Sequence, residues 1–201
     1  AIVCLDQLLE AQPRNALLAD RLAALVNRFL TEYPSDPHAP KLILRRALTS
    51  GEISPRVAEE LLSIPPGSEV YEAAQRRAAQ VLYQLFREAE PIQRIAWGEK
   101  YLSVAVPLHR REREALDLAD PLALPRYLVT GRRILEVAFQ EGIERVEAAR
   151  MVLESIEELR ERPGVDLRDI ESEITYRRLQ EELLGGDPEA AALIADRLNE
   201  Q

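Results

Sequence analysis

Apolar residues recur along this chain at three- and four-residue spacing, and proline or glycine interrupts the recurrence at short intervals. Leu17, Leu18, Leu22, Leu25, Val26, Phe29 and Leu30 make one stripe over residues 13–33, with Pro13 in its first turn. Pro34 and Pro37 stop it, because proline lacks a donor and crowds the preceding turn. The next helix is expected from His38 or Ala39, with Pro40 in its first turn, through Leu42, Ile43, Ala47 and Leu48 to Gly51. Ser54 then reads as an N-cap before Pro55, and Val57, Ala58, Leu61 and Leu62 follow up to Pro65-Pro66-Gly67. Ser68 starts a helix through Tyr71, Ala74, Ala78, Val81, Leu82, Leu85 and Phe86.

Downstream, Pro91 opens a helix through Ile95, Ala96, Tyr101, Leu102 and Ala105, which Pro107 is expected to end or kink. A charged helix from His109 reaches a joint at Asp120-Pro121. Further helices are expected from Pro125 to Gly142, from Ile143 to Arg162, from a cap at Asp166 to Gly185-Gly186, and from Asp187-Pro188 onward. A short one carrying Val3, Leu5, Leu8 and Leu9 precedes Pro13. The expectation is about ten or eleven helices joined mostly by short turns, which force neighbours to lie antiparallel. Alternating runs are lacking, and the apolar residues are mostly Ala and Leu. The fold class is therefore all-α.

The chain matches itself when shifted by 31 residues. Val26 falls on Val57, Leu30 on Leu61, Pro34 on Pro65, and Arg45-Arg46-Ala47 on Arg76-Arg77-Ala78. Residues 20–51 and 54–86 thus read as two copies of one helix–joint–helix unit. Such units leave an apolar face that only stacking covers, the signature of an α-solenoid. Tyr33-Pro34-Ser35 before Ala39, Ile64-Pro65-Pro66 before Ser68 and Tyr71-Glu72-Ala73-Ala74, the Gly98 to Tyr101 spacing, and Gly186-Asp187-Pro188-Glu189-Ala190 carry a resemblance. In these residues the chain resembles the tetratricopeptide repeat family, most of all repeats of bacterial periplasmic and outer-membrane assembly factors. It departs from that pattern in its 31-residue period and in Leu22 and Arg110, where the family carries a small Ala. The match covers residues 20–106 and weakens over 107–170. The expected division is 1–106, repeat-like, and 107–201, less regular helix pairs packed continuously on the first part. The resemblance implies a scaffold that binds another protein or peptide in a concave groove.

Charge narrows the partners. The net charge is −9, and it is concentrated in residues 101–201, which hold 22 acidic and 14 basic residues. With no basic stripe, nucleic acid and anionic membranes are not expected partners. No run of residues is long enough for a membrane span. The single Cys4 makes no internal disulfide, so the compartment is open between cytoplasm and periplasm. The start at Ala1 is read as a processed form or an excised domain.

Candidate chemistry is sparse. Arg45, Arg46, Arg76 and Arg77 occupy matched places in the two copies. They form either a cationic ladder for an acidic peptide or C-terminal carboxylate, or the flanks of an apolar stripe paired with Glu on neighbouring helices. Tyr83, with Trp97, Tyr71, Tyr101, Tyr127 and Tyr176, serves either as a partner anchor or as packing between helices. His109 and Glu112 share a helix face, but three arginines nearby oppose a cation, so the stretch reads as a solvated turn or helix start. Glu59-Glu60, Glu157-Glu158 and Glu181-Glu182 read as surface pairs. No phosphate loop, nucleophile motif or zinc spacing is present, so neither cofactor nor catalysis is expected. The alternatives are a structural or self-associating helical domain and, further off, an all-α enzyme using acids such as Glu99, Asp117 or Asp120.

Overall fold

The computed structural model of the chain describes residues 2–12 and 15–199, without the side chains of residues 3, 5, 6, 9, 10, 197 and 199. The expected roles of Val3, Leu5, Leu9 and Pro13 lie outside the described residues. Among those described, the regular structure is entirely helical: α1 (Ile2–Ala11), α2 (Ala16–Glu32), α3 (Ala39–Ser50), α4 (Pro55–Leu62), α5 (Tyr71–Glu88), α6 (Pro91–Glu114), α7 (Ala123–Ala138), α8 (Val146–Glu157), α9 (Glu171–Gly185) and α10 (Pro188–Asn199). The chain divides into two compact units, Ala1–Leu85 and Phe86–Gln201. The expected division at residue 106 falls inside α6.

In the first unit α1 packs on α2, α2 on α3, and α3 on α4. The boundaries follow local chemistry. The Asn15 side chain accepts the Leu18 N–H at the start of α2, which ends at Tyr33 where Pro34 forbids another turn. Gly51 takes φ +64° after α3, a left-handed conformation costly for any residue with a Cβ. Ser54 accepts the Val57 N–H, and Pro55 opens α4. Leu22 and Val26 are buried under Leu18, Leu30 and Leu42. Ala58, Leu61, Ala74, Ala78, Val81 and Leu82 extend the core. Of the positions related by 31 residues, Val26 shares burial with Val57 and Ala47 with Ala78, while Leu30 is half-buried and Leu61 fully buried. The helices so related differ in length, 17 residues in α2 against 8 in α4, and 12 in α3 against 18 in α5.

In the second unit α6, α7 and α8 pack against one another, α8 also packs on α9, and α9 on α10. Three expectations are corrected here. α6 runs on through Pro107, so of the two expected outcomes the proline does not end the helix, and the charged stretch from His109 is not a separate helix, which removes one helix from the expected tally. Proline inside a helix costs about 3 kcal/mol. Here Pro107 itself is exposed, while Leu102, Ala105, Leu108 and His109 are buried on both sides of it. Burying Leu102 and Leu108, at about 2 kcal/mol each, offsets that cost. The helix expected over Ile143–Arg162 is α8 alone, followed by a 3₁₀ turn over Glu158–Glu161. The expected cap at Asp166 accepts instead the Arg168 N–H, and α9 begins only at Glu171.

Gly98 sets the approach of α6 to the α7–α8 turn. A Cβ there would lie 2.3 Å from Ile143 Cδ1, 3.1 Å from Val137 and 3.2 Å from Phe86. This is the glycine of the Gly98-to-Tyr101 spacing, and Tyr101 is buried one turn on.

Candidate functional site

The two matched arginine pairs split by face. Arg46 turns inward, with its side chain 14% exposed, bonding Asn27 of α2 and Glu60 of α4 and so tying three helices together. Arg77, at the matched position, donates to the Ala47 carbonyl at the end of α3 at 3.1 Å and to Gln80 at 3.4 Å. Of their neighbours, Arg76 is half exposed and pairs with Glu72 one turn away, whereas Arg45 is half-buried like Arg46 and is itself engaged within the fold. Tyr83 is buried in α5. Tyr101 and Tyr127 are also buried, while Trp97 is half-buried under Lys100 at 5.6 Å.

The most exposed apolar side chains of the C-terminal pair lie on α9 and α10. Ile174 and Glu181 face inward on α9. Tyr176 (50% exposed) and Leu183 (62%) project from the opposite side, with half-buried Leu179 between them. Residues i, i+3 and i+7 fall on one helical stripe, so these three cover about 10 Å of helix length. On α10, Ala191 is buried and Leu193, 65% exposed, points away from it. Arg177 lies beside the Tyr176 ring at 5.9 Å and the Phe139 ring at 6.0 Å.

Two buried polar groups escaped the sequence reading. Glu181, expected on the surface beside Glu182, has a side chain only 1% exposed. Arg150 of α8 donates to it at 2.7 Å and Arg178 at 2.7 Å. Arg178 also grips Glu157 of α8 bidentately, at 2.9 and 2.7 Å. Burial works against ionisation of Glu181, but the hydrogen bonds and charges of Arg150 and Arg178 outweigh it and hold the carboxyl below its ordinary value. The Glu157 bonds keep Arg178 charged despite its partial burial. The signal was the seven-residue spacing from Ile174 to Glu181, which puts both on one face.

His109 was expected on a solvated turn or helix start. It is 1% exposed, stacked on Tyr127 with ring centroids 4.1 Å apart and planes 15° apart. Neither ring nitrogen has a hydrogen-bond partner, and the Tyr127 hydroxyl lies near Ser155 without a bond of standard geometry. Gly131 makes room for the ring, since a Cβ there would sit 3.2 Å from His109 Cε1. Burial, with the charge of Arg113 one turn on, pushes the imidazole down to about 4, so it is neutral near pH 7. Glu112, three residues on, is half-buried. Among the described residues no group of three or more His, Cys, Asp or Glu side chains could hold a metal ion.

The acids weighed for catalysis are separately engaged. Glu99 accepts from Arg145 at 2.9 Å, Asp117 from the Ala119 N–H at 2.9 Å, and Asp120 from the Leu122 N–H at 2.9 Å. Cys4 is exposed. No described helix is long and apolar enough to cross a membrane. What the fold and these sites define is an all-helical protein of two compact units with a polar-clamped interior. Comparison with protein-family models, with curated proteins and with solved structures finds no match.

Proposed function

We propose that this chain is a non-catalytic helical scaffold that binds another protein or a peptide. The observation that carries the reading is the outward apolar stripe Tyr176–Leu179–Leu183 on α9, a helix whose opposite face is already committed to α8. Large side chains exposed in a row are what a partner helix or strand buries. The helix pairs are read as stacked antiparallel units of the tetratricopeptide-like kind. The 31-residue register, its matched burial and the proline-marked joints support that reading. In the first unit the groove role is assigned to Arg45 and Arg76, because Arg46 and Arg77 reach across to neighbouring helices.

Affinity capture with the wild type beside two surface variants tests this. One variant carries Arg45→Glu and Arg76→Glu, the other Tyr176→Ser and Leu183→Ser. The expected result is a protein retained by the wild type, lost by one variant, and bound at a one-to-one ratio when purified. Retention of the same proteins at equal yield on all three, or of none, overturns the reading. Concentration-dependent sedimentation of the wild type alone, abolished by Leu183→Ser, would put a self-associating domain in its place.

A further inference from the structure

The α9 stripe begins at Tyr176 beside Arg177 and runs into an acidic stretch that lies between Arg178 and Arg197 in the sequence. From Leu179 to Asp196 the chain carries five carboxylates and no Lys or Arg. Glu181 is spent internally on Arg150 and Arg178. The other four, Glu182, Asp187, Glu189 and Asp196, are half-buried or exposed. Glu189 and Asp196 stand at i−4 and i+3 from exposed Leu193, so this apolar tip has a carboxylate on the turn to either side. Asp187 accepts the Ala190 N–H at 3.0 Å and so sits at the start of α10.

We propose that the outer face of α9, with Leu193 of α10, docks a positively charged amphipathic helix from another protein. This rests on the scaffold reading and names its partner class. The apolar requirement comes from Tyr176, Leu179 and Leu183, whose spacing over two turns matches the i, i+3, i+7 anchors of a helix laid along it. The charge requirement comes from the carboxylates. A second copy of this chain would bring the same negative stretch against itself, and an anionic bilayer would be repelled for the same reason. A helix with Leu on one face and Lys or Arg beside it satisfies both requirements.

The probes are two synthetic peptides of about 18 residues, long enough to form a helix on binding. Both have the same leucine stripe. One has Lys at every polar position and the other Glu, and fluorescence anisotropy reads their binding to the full chain. The wild type binds the Lys peptide and binds the Glu peptide at least about tenfold more weakly. Tyr176→Ser with Leu183→Ser weakens the Lys peptide by about tenfold or more, as loss of two apolar anchors requires. Glu182→Gln, Glu189→Gln and Asp196→Asn together weaken it less and flatten its salt dependence. All five substitutions are at exposed or half-exposed positions, and unchanged melting confirms that each variant folds.

Equal binding of both peptides by the wild type overturns the charge requirement and the proposal with it. Binding of the Lys peptide undiminished by the double Ser variant reduces the contact to nonspecific charge and equally overturns it. Sedimentation showing a dimer that the double Ser variant dissolves makes a second copy the occupant instead. A natural partner that still binds the double Ser variant leaves the scaffold reading standing and refutes this face alone.

Discussion

Protonation of His109 should loosen the second unit as pH falls through the weakly acidic range. The imidazole is buried, stacked on Tyr127, without partners on either nitrogen, and one turn from Arg113. Its folded pKa is about 4 against 6.5 in the open chain. A histidine with a depressed folded value binds more protons unfolded than folded between those limits. Stability is therefore untouched above about pH 7, declines as pH falls, and levels off below about pH 4. At 1.36 kcal/mol per unit the full effect is about 3 kcal/mol, of which about 2 kcal/mol is already lost at pH 5. Carboxylates elsewhere also respond to acid, so the diagnostic quantity is the gap to a variant that cannot titrate. His109→Leu nearly conserves volume. It forfeits about 1 kcal/mol of ring stacking and relieves two unpartnered nitrogens at about 1–3 kcal/mol. At pH 7.5 the variant should equal or modestly exceed the wild type. Urea melts followed by the single Trp97, which lies in α6 of the same unit, read the transition directly. The gap should widen by about 2 kcal/mol between pH 7.5 and pH 5 in favour of the variant. A gap constant within about 0.5 kcal/mol across that range would refute the burial argument.

Three other perturbations follow from the packing. Gly98→Ala should destabilise by about 1–2 kcal/mol, the overpacking against Ile143 exceeding the gain in helix propensity. Adding Ile143→Val should recover part of the loss, measured as a double-mutant cycle in urea. Glu181→Gln should cost about 3 kcal/mol at pH 7, because Arg150 and Arg178 lose their shared buried carboxylate. The folded pKa of Glu181 is lowered, so its contribution is present above the ordinary carboxyl value and lost as pH falls through the lowered one. The gap between wild type and Glu181→Gln should therefore narrow in strong acid. Pro107→Ala should raise thermal stability by about 1–2 kcal/mol, since it restores a helical N–H at an exposed position. Unchanged or lower stability there would mean that the α6 backbone is adapted to the proline.

Local signals made most helix boundaries in the first unit legible. Ser54, Gly51 and the prolines at 34, 40 and 55 act within one turn of themselves, so their effect does not depend on what the helix packs against, whereas the Asn15 cap that starts α2 was not anticipated. Pro107 misled as a helix end for the opposite reason. Its penalty is local, but the burial of Leu102, Ala105, Leu108 and His109 that overrides it comes from α7 and α8, far along the chain. The early end of α8 was similarly hidden. Val152, Leu153, Ile156 and Leu159 are all buried, and the change to 3₁₀ geometry at Glu158 leaves the apolar spacing almost intact.

The polar positions were harder still, because composition assigns charge to the surface by default while the fold spends some of it inside. Of two adjacent glutamates, Glu181 and Glu182, only the first shares a face with Ile174, and only the first is buried. The same division separates Arg77 from Arg76. A helix turns 100° per residue, so one member of each doublet points inward and bonds across helices while its neighbour lies nearer solvent. This has a consequence for any binding surface on the molecule. Reversing both charges of a doublet would break an internal tie as well as an external contact, and lost binding would then be indistinguishable from lost folding. Arg46 joins α2, α3 and α4, short elements that hold their form through packing rather than intrinsic helicity. Reversing Arg46 alone should therefore lower the melting temperature of the first unit by more than reversing the half-exposed Arg76 does. Only a loss of binding in a variant that keeps the wild-type melting temperature bears on a partner.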